Sequence, residues 1–195
     1  GVWQVQDKPA VVLLGVFAPV ISPYPHDQAY VGKSLEPPTR EHWFGTDRLG
    51  RDVFSRVIYG TRISLVAAVS ITTACLIIGV PLGLLSGYYG GMLDIGMMRL
   101  GDIFFTFPWI LMGLLVVVIR GPGLSSVIIA LTLSYFPQIV RIVRGAVLNI
   151  KEQDFVTAAR LNGEKNLYIL FRYILPNCFA PLIVQTTIIM SFSIL

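Results

Sequence analysis

The sequence predicts an all-α fold, a polytopic bundle of transmembrane helices, and three observations support this prediction. Hydrophobic residues make up 54% of the 195 residues and charged residues only 13%, about half of the roughly 25% that soluble domains carry. The hydrophobic residues are collected in long uncharged runs, whereas half-buried helices and strands of soluble domains alternate apolar and polar residues. The basic residues, which bring the formal net charge to +4, lie between these runs, as is typical of the flanks of membrane helices.

About five membrane spans are expected, and the first and the fifth are clipped. The apolar run at residues 10–21 is too short to cross the hydrocarbon, because a helix needs about 20 residues for that. We therefore interpret residues 1–21 as part of a first transmembrane helix. The later uncharged runs predict complete spans at residues 64–86, 103–119 and 124–140, and the beginning of a further span at residues 181–195.

The polar segments between the spans predict how the chain is oriented. Residues 141–176 form a long polar loop with more basic than acidic residues, and such loops stay in the cytoplasm. Counting the spans backwards then makes residues 22–62 an extracytoplasmic loop and residues 63–195 the transmembrane domain. The loop at residues 22–62 also carries six basic residues, which the same rule counts against this orientation.

Four glycines recur at every fourth position near the end of the first complete span: Gly79, Gly83, Gly87 and Gly91. At 3.6 residues per turn they lie on one helix face, and glycines on such a face let a second helix approach closely. We therefore expect this face to pack against another helix. The alternative is that the glycines merely mark a helix end.

No pattern in the sequence predicts catalysis. Residues 32–34 resemble the end of a phosphate-binding loop, but Asp27 stands where that loop needs its first glycine, and no strand precedes it. His26 and His42 have no partners at the spacing of a metal site, and no basic stripe with interleaved aromatic residues suggests nucleic-acid binding. We therefore predict no catalytic residues, no metal site, no cofactor and no nucleic-acid partner.

A helix–glycine–helix elbow is expected within the polar loop. Residues 152–161 predict a short helix. The acidic residues in its first turn interact favourably with the helix dipole and stabilise the helix. Gly163 can end this helix with a positive φ, and a second helix over residues 165–174 is expected to stop at Pro176. Two alanines on the first helix would let the elbow lie in a groove of another protein. The alternative is an ordinary connecting helix.

The elbow resembles the signature loop of ABC-importer permeases, which reads E-A-A, three residues, G, nine residues and then I-x-L-P. This chain departs from the signature with Thr157 in the position of the glutamate and Tyr173 in the position of the isoleucine. The resemblance implies that the elbow docks on a cytoplasmic ATPase subunit. The residues assigned to this ATPase-coupling loop are Asp154, Phe155, Thr157, Ala158, Ala159, Leu161, Gly163, Leu175 and Pro176.

A second segment, residues 42–65, resembles the outer-loop motif of the C-type permease subunit in the dipeptide, oligopeptide and nickel class of these importers. We expect Arg48, Asp52 and Arg56 to organise this loop through salt bridges, and contact with substrate stays open. The likeness continues in order along the chain, at residues 87–91, 102, 107–108, 141–145 and 154–155. The outer-loop motif consists of Gly45, Thr46, Asp47, Gly50, Arg51, Asp52 and Arg56.

The resemblance implies a permease subunit of an ATP-driven importer, without an ATPase site of its own, that forms the membrane pathway for peptides or for related small solutes such as nickel. The implied partners are a B-type permease subunit, two cytoplasmic ATPase subunits, an extracytoplasmic substrate-binding protein and the lipid of a bacterial or archaeal inner membrane. The family has six spans, so we expect this chain to lack parts of the first and fifth and all of the sixth. The alternatives are a stand-alone channel or secondary transporter and a membrane enzyme.

Overall fold

A computed structural model describes residues 13–25 and 27–194 of the chain. These residues form helices and connecting loops, together with an isolated β-bridge between Thr46 and Asp52. The all-α prediction is therefore confirmed. His26, one of the two histidines considered above, lies outside the described residues.

The chain divides into two compact units, Gly1–Val66 and Ala67–Leu195. In the first unit, residues 13–16 are helical and α1 spans Ala18–Ile21. Most of the predicted first membrane helix, residues 1–12, lies outside the described part.

Helix α2, Val53–Tyr89, contains the first complete span but begins well before it. Its 37 residues measure about 55 Å at 1.5 Å per residue, against a hydrocarbon core of about 30 Å. Residues 53–62, predicted as part of a loop, are therefore helical, while their extracytoplasmic placement stays a prediction. Hydropathy misses these turns because they carry Arg56 and Arg62, which are both exposed.

Helices α3, Gly91–Thr106, and α4, Trp109–Arg120, form a pair that is bent by 88°. The prediction of one uninterrupted span over residues 103–119 is wrong, because the helix breaks at Phe107 and Pro108. Proline has no N–H for the helical ladder and keeps the residue before it out of the helical region. Phe107 accordingly has φ −81° and ψ 122°.

Helix α5, Leu124–Ile150, continues beyond the predicted end of its span at Val140. Arg141 and Arg144, which were expected in a polar loop, therefore lie on a helix that is long and apolar enough to cross a membrane. Each has an acidic partner on α3, which explains why the helix can continue through charged residues.

The elbow consists of α6, Asp154–Leu161, and a second arm that begins with α7, Asn166–Ile169. The arm continues as a π-helix, Leu170–Ile174, and as α8, Leu175–Asn177. Helix α9, Phe179–Ile194, follows after a bend of 61°.

The second arm ends at Asn177, one residue after Pro176 and three residues beyond the predicted end of its helix at Ile174. Pro176 is the second residue of α8, which directly follows the π-helix, and it lies two residues before the bend. The π-helix that precedes it has the wider i to i+5 bonding, which shifts the helical register where the arm turns towards α9.

Helices α2 and α5 pass the length and hydropathy criteria for a membrane span. If α3 with α4, and the second arm with α9, each count as one bent span, the described residues contain four. The polytopic prediction is therefore confirmed, while the predicted first span falls mainly on residues outside the described part. The orientation and the domain boundaries stay predictions.

Glycines let α2 and α5 approach closely. At three of the four glycines, an added Cβ would clash with a valine or isoleucine of α5, because it would lie closer than Cβ atoms approach in proteins. The distances to the facing Cβ would be 2.7 Å between Gly79 and Ile139, 2.6 Å between Gly83 and Val143, and 2.7 Å between Gly87 and Val147. Gly91 is not part of this face, contrary to the prediction: it has φ 61° at the start of α3, and a Cβ there would meet nothing within 4 Å.

Candidate functional site

The elbow turns at Gly163, as the spacing predicts. Its φ is 76°, in the left-handed region that glycine adopts without steric cost. The N–H of Gly163 donates to the carbonyl of Arg160 at 3.0 Å, and the N–H of Glu164 donates to the carbonyl of Ala159 at 3.2 Å. These bonds satisfy the last carbonyls of α6 and set the direction of the second arm.

The inner face of α6 is held in the protein's own core by Val156 and Ala159, which are 0% and 4% exposed. They belong to one buried cluster with Ile169, Leu170 and Ile174 of the second arm. The expectation that both alanines of the elbow face a partner is therefore wrong for Ala159. Its small side chain lets α6 pack closely within this chain.

The outer face of α6 is exposed. Leu161 is 84% exposed and Phe155 is also exposed. Large apolar side chains in such positions are unusual on a helix that faces water. Exposed apolar side chains grouped in this way are typical of surfaces that another protein covers. The outer face consists of Phe155, Thr157, Ala158 and Leu161, and the second arm adds the exposed residues Leu167, Tyr168 and Phe171.

Three further residues of the predicted coupling loop lie at its two ends. Asp154 is exposed in the first turn of α6, where a carboxylate favours the helix dipole. Leu175 is half-buried and Pro176 is exposed. Both follow the π-helix, so they belong to the junction with α9 and not to the outer face.

Tyr173, one of the departures from the signature, links the two arms across the hinge. Its hydroxyl donates to Oε1 of Glu164 at 3.2 Å. Its ring centroid lies 6.4 Å from that of Phe155 and 6.1 Å from that of Tyr168. Oε2 of Glu164 is buried without a partner among the described residues. An isoleucine in place of the tyrosine would therefore leave this carboxylate without the hydroxyl that bonds it.

Asp47 is the centre of the outer-loop motif. Its Oδ1 accepts from the backbone N–H of Leu49 at 2.8 Å and of Arg51 at 3.1 Å. Its Oδ2 accepts from Nε of Arg51 at 2.8 Å and from Nη1 of Arg56 at 2.6 Å. Desolvation raises the pKa of Asp47, but the hydrogen bonds from Arg51 and Leu49 outweigh it and lower the pKa from 3.8 to about 2.

Asp52 starts helix α2. Its Oδ2 accepts from the backbone N–H of Ser55 at 2.7 Å, which satisfies one of the free donors in the first turn of the helix. Its Oδ1 lies 3.1 Å from Nδ1 of the buried His42. Desolvation raises the pKa of Asp52, but the hydrogen bonds from Ser55 and His42 lower it overall. His42 thus supports a capping carboxylate.

The other members of the outer-loop motif shape the chain around these carboxylates. Gly45 and Gly50 have φ of 70° and 66°. The hydroxyl of Thr46 accepts from the N–H of Glu36 at 2.9 Å and donates to the carbonyl of Lys33. The motif is therefore an internally bonded loop.

The three residues expected to organise this loop through salt bridges differ in their contacts. Arg56 pairs with Asp47 at 2.6 Å, and Asp52 lies against His42. Arg48 contributes through its carbonyl, which accepts from the hydroxyl of Ser34 at 2.9 Å. Arg56 therefore has the expected ion pair, whereas Asp52 and Arg48 are held by hydrogen bonds, and the organising role of the three residues stays a prediction.

The segment at residues 32–34 is not shaped as a phosphate cradle. The N–H of Gly32 donates to the carbonyl of Gly50 at 3.2 Å, and the N–H of Lys33 donates to Oε2 of Glu36 at 3.2 Å. These two backbone donors are thus bonded within the loop. Among residues 13–25 and 27–194, no three His, Cys, Asp or Glu side chains come together in a way that could hold a metal ion.

Two ion pairs that sequence reasoning missed join α3 to α5. Asp94 pairs with Arg144, and Asp102 pairs with Arg141. The guanidinium of Arg141 also lies 4.3 Å from the ring centroid of Phe105. The signal was present, since the two acids are about two helical turns apart and the two arginines about one turn apart. Residues 87–102 lie between two predicted spans and residues 141–144 lie in the predicted polar loop, so the predicted spans include none of the four charged residues.

Comparison with known proteins agrees with the signature of the elbow. Residues 79–195 match the family described as binding-protein-dependent transport system inner membrane component. The chain is 41% identical to the dipeptide transport system permease protein of Alkalihalophilus pseudofirmus and 40% identical to the oligopeptide transport system permease protein of Bacillus subtilis, over 91% of this chain. It is 38% identical to the glutathione transport system permease protein of Pectobacterium atrosepticum, over 95% of this chain. The chain spans 58%, 58% and 62% of the length of these three relatives.

Proposed function

The chain belongs to the family of binding-protein-dependent transport system inner membrane components, and we propose that it works as a permease subunit of an ATP-driven importer. In this proposal it forms part of the membrane pathway and has no ATPase site of its own. The observation that carries the proposal is the elbow, whose inner face is fixed in the core of the helix bundle while its outer face is exposed and apolar.

The elbow is suited to transmit motion because its two faces have different partners. Val156 and Ala159 join α6 to the core that also contains Val143 and Val147 of α5. Protein interiors are close-packed and transmit strain, so a displacement of α6 carries α5 with it. Leu161 and its neighbours on the outer face then receive the ATPase subunit, whose closure on ATP supplies the displacement.

The complete transporter in this proposal contains a B-type permease subunit, two cytoplasmic ATPase subunits and an extracytoplasmic substrate-binding protein. The family description supports the dependence on a binding protein. Exposed apolar side chains of α4, such as Val118 and Ile119, supply surface for the second permease subunit and for lipid. The carboxylates of Asp47 and Asp52 are engaged within their own loop, which favours a structural role for the outer-loop motif over substrate contact.

Peptides are the substrate class that we propose. Three relatives are named for the transport of dipeptides, oligopeptides and glutathione, which are all peptidic. Nickel is the alternative within the class that the outer-loop motif resembles. Uptake into proteoliposomes that contain the assembled transporter separates the two: we expect ATP-dependent accumulation of a labelled dipeptide that nickel does not inhibit. Accumulation of nickel that the dipeptide does not affect would contradict the proposed substrate.

The ATPase-docking role is tested at Ala158, which is exposed on the outer face of α6. We expect Ala158→Arg to abolish co-purification of the ATPase subunits and ATP-driven uptake, because a long charged side chain would stand in the apolar contact. Ala158→Ser is the matched control and should retain both, and equal thermal midpoints exclude misfolding. Full co-purification and uptake in Ala158→Arg would contradict docking at this face. Uptake that continues without ATP would instead favour a stand-alone channel or secondary transporter.

A further inference from the structure

The last turn of α2 is held by three contacts that the proposed docking does not use, two from the elbow and one from Lys151, which lies between α5 and the elbow. Lys151, which follows α5, donates from Nζ to the carbonyl of Gly87 at 3.0 Å. Arg160 of α6 places its guanidinium 5.3 Å from the ring centroid of Tyr88. The hydroxyl of Tyr88 donates to Oδ1 of Asn166, the first residue of α7, at 2.9 Å. We call these three contacts the clasp.

Tyr88 is the central residue of the clasp. It takes part in two of the three contacts, one with each arm of the elbow. Its ring is half-buried against the core of the second unit. A guanidinium over an aromatic face and a hydroxyl donating to an amide oxygen are both directional contacts. Together they specify where the elbow lies relative to α2.

We infer that Tyr88 is a positioning residue for energy coupling, which fastens the elbow to α2 so that a displacement of the elbow moves α2 directly. The inference rests on the proposed function. Gly83 and Gly87 bring α2 against Val143 and Val147 of α5 too closely for either helix to slide freely. With the clasp in place, α2, α5 and the elbow move as one body. Without it, the elbow pulls on α5 and α9 alone.

A tyrosine that only fills space would leave its hydroxyl without a specific partner, and the neighbouring residue shows this case. Tyr89 is exposed, and its ring meets that of Tyr88 edge-on at 5.2 Å between centroids. Within the described part of the chain, the hydroxyl of Tyr89 has no hydrogen-bond partner, whereas that of Tyr88 bonds Asn166. Tyr88→Phe and Tyr89→Phe therefore remove the same atom from adjacent residues, and only the first change affects the clasp.

Hydrogen exchange of the backbone amides at residues 154–166 measures the clasp independently of transport. We expect exchange in the full-length protein to become about five-fold faster in Tyr88→Phe, the factor that corresponds to one lost hydrogen bond, and to stay unchanged in Tyr89→Phe. Asn166→Ala should have the same effect, and the double variant with Tyr88→Phe should show no further increase. Wild-type exchange rates in Tyr88→Phe would overturn the inference.

The coupling role is measured in the assembled transporter as the ratio of dipeptide transported to ATP hydrolysed. We expect Tyr88→Phe to lower this ratio several-fold while co-purification of the ATPase subunits stays normal, because the outer face of α6 is unchanged. Tyr89→Phe should keep the wild-type ratio. If exchange is faster in Tyr88→Phe but the ratio of dipeptide transported to ATP hydrolysed is unchanged, the inference about Tyr88 is overturned, whereas the proposed function is not. A wild-type protein that binds no ATPase subunit would overturn the proposed function, and the inference with it.

Discussion

Arg144 of α5 donates two hydrogen bonds to the carboxylate of Asp94 in α3, from Nε at 2.5 Å and from Nη2 at 2.6 Å. Ser86 of α2 donates a third to the same carboxylate at 2.5 Å, so one aspartate joins three helices. A two-point contact between guanidinium and carboxylate fixes the orientation of both groups. This pair therefore determines how the end of α2, the start of α3 and the last turns of α5 meet.

Asp94→Asn should destabilise the protein, because it leaves the Arg144 charge without its counter-ion. Loss of one partner from a fully buried pair costs about 3–5 kcal/mol. The side chains of Asp94 and Arg144 are 16% and 30% exposed, so we expect a smaller loss of about 2 kcal/mol in the free energy of unfolding. Denaturant unfolding in detergent micelles measures it.

The pair of Asp102 and Arg141 provides the control for Asp94, since it joins the same helices with side chains that are 57% and 47% exposed. Exposed pairs contribute about 0–1 kcal/mol, so Asp102→Asn should lower the free energy of unfolding by less than about 1 kcal/mol. Equal losses in the two variants would contradict the view that burial makes the Asp94 pair the stronger tie.

Gly83→Ala should disrupt the packing of α2 on α5. The new Cβ would lie 2.6 Å from Cβ of Val143 and 2.8 Å from the carbonyl oxygen of Val140, and the backbone atom cannot move aside without shifting α5. Overpacking of this kind costs about 1–3 kcal/mol, which the thermal midpoint in detergent would report. Gly113→Ala in α4 is the matched control, because its Cβ would meet nothing within 4 Å. It should be neutral or slightly stabilising, and a similar drop in both variants would contradict the close approach.

Ala159→Leu should destabilise the protein much more than Ala158→Leu, although the two residues are adjacent. Ala159 is in the buried cluster of the elbow, where added methyl groups cost about 1–3 kcal/mol. Ala158 is exposed, and changes at such sites usually stay within about 0.5 kcal/mol. Unfolding free energies of the two variants give the comparison. A larger loss in Ala158→Leu would show that the inner and outer faces of α6 have been assigned the wrong way round.

Acid should loosen the outer-loop motif through Asp47. Its pKa is lowered on folding from 3.8 to about 2, so its ionised form stabilises the loop above about pH 4, and this contribution is lost as the pH falls from about 4 through 2. The fluorescence of Trp43, in a variant whose other two tryptophans are phenylalanine, follows the change. Asp47→Asn should reduce this acid transition and leave the part that belongs to Asp52, whose pKa is also lowered. Asp27→Asn, at an exposed position in the same unit, should leave the transition unchanged.

Several features of the fold could be predicted from the sequence because they depend on neighbouring residues. Uncharged runs identify membrane helices, since hydrocarbon accepts few polar groups. A glycine at every fourth position identified the face of α2 that packs on α5, and Gly163 was predicted as the hinge because few other residues adopt a positive φ. The signature of the elbow led to the same family that the comparisons show.

The errors in the bounds of the charged helical segments share one cause, which is that hydropathy detects the hydrocarbon and not the helix. The first turns of α2, most of α3 and the last turns of α5 carry charges, so they were assigned to loops. Asp52 caps the first turn of α2. Arg144 of α5 neutralises Asp94 of α3, so both of these helices can contain a charged residue. Such partners lie far apart in the chain, and nothing local indicates which acid meets which arginine.

The sequence by itself therefore determined the membrane class, the approximate positions of the long helices and the existence of the elbow, because each follows from the chemistry of neighbouring residues. Only the tertiary structure decided which alanine of the elbow faces the core, how Tyr173 and Glu164 join its arms, and how Tyr88 holds it to α2. Those outcomes depend on side chains that meet across the fold, and the direction of a side chain is set by everything packed against it.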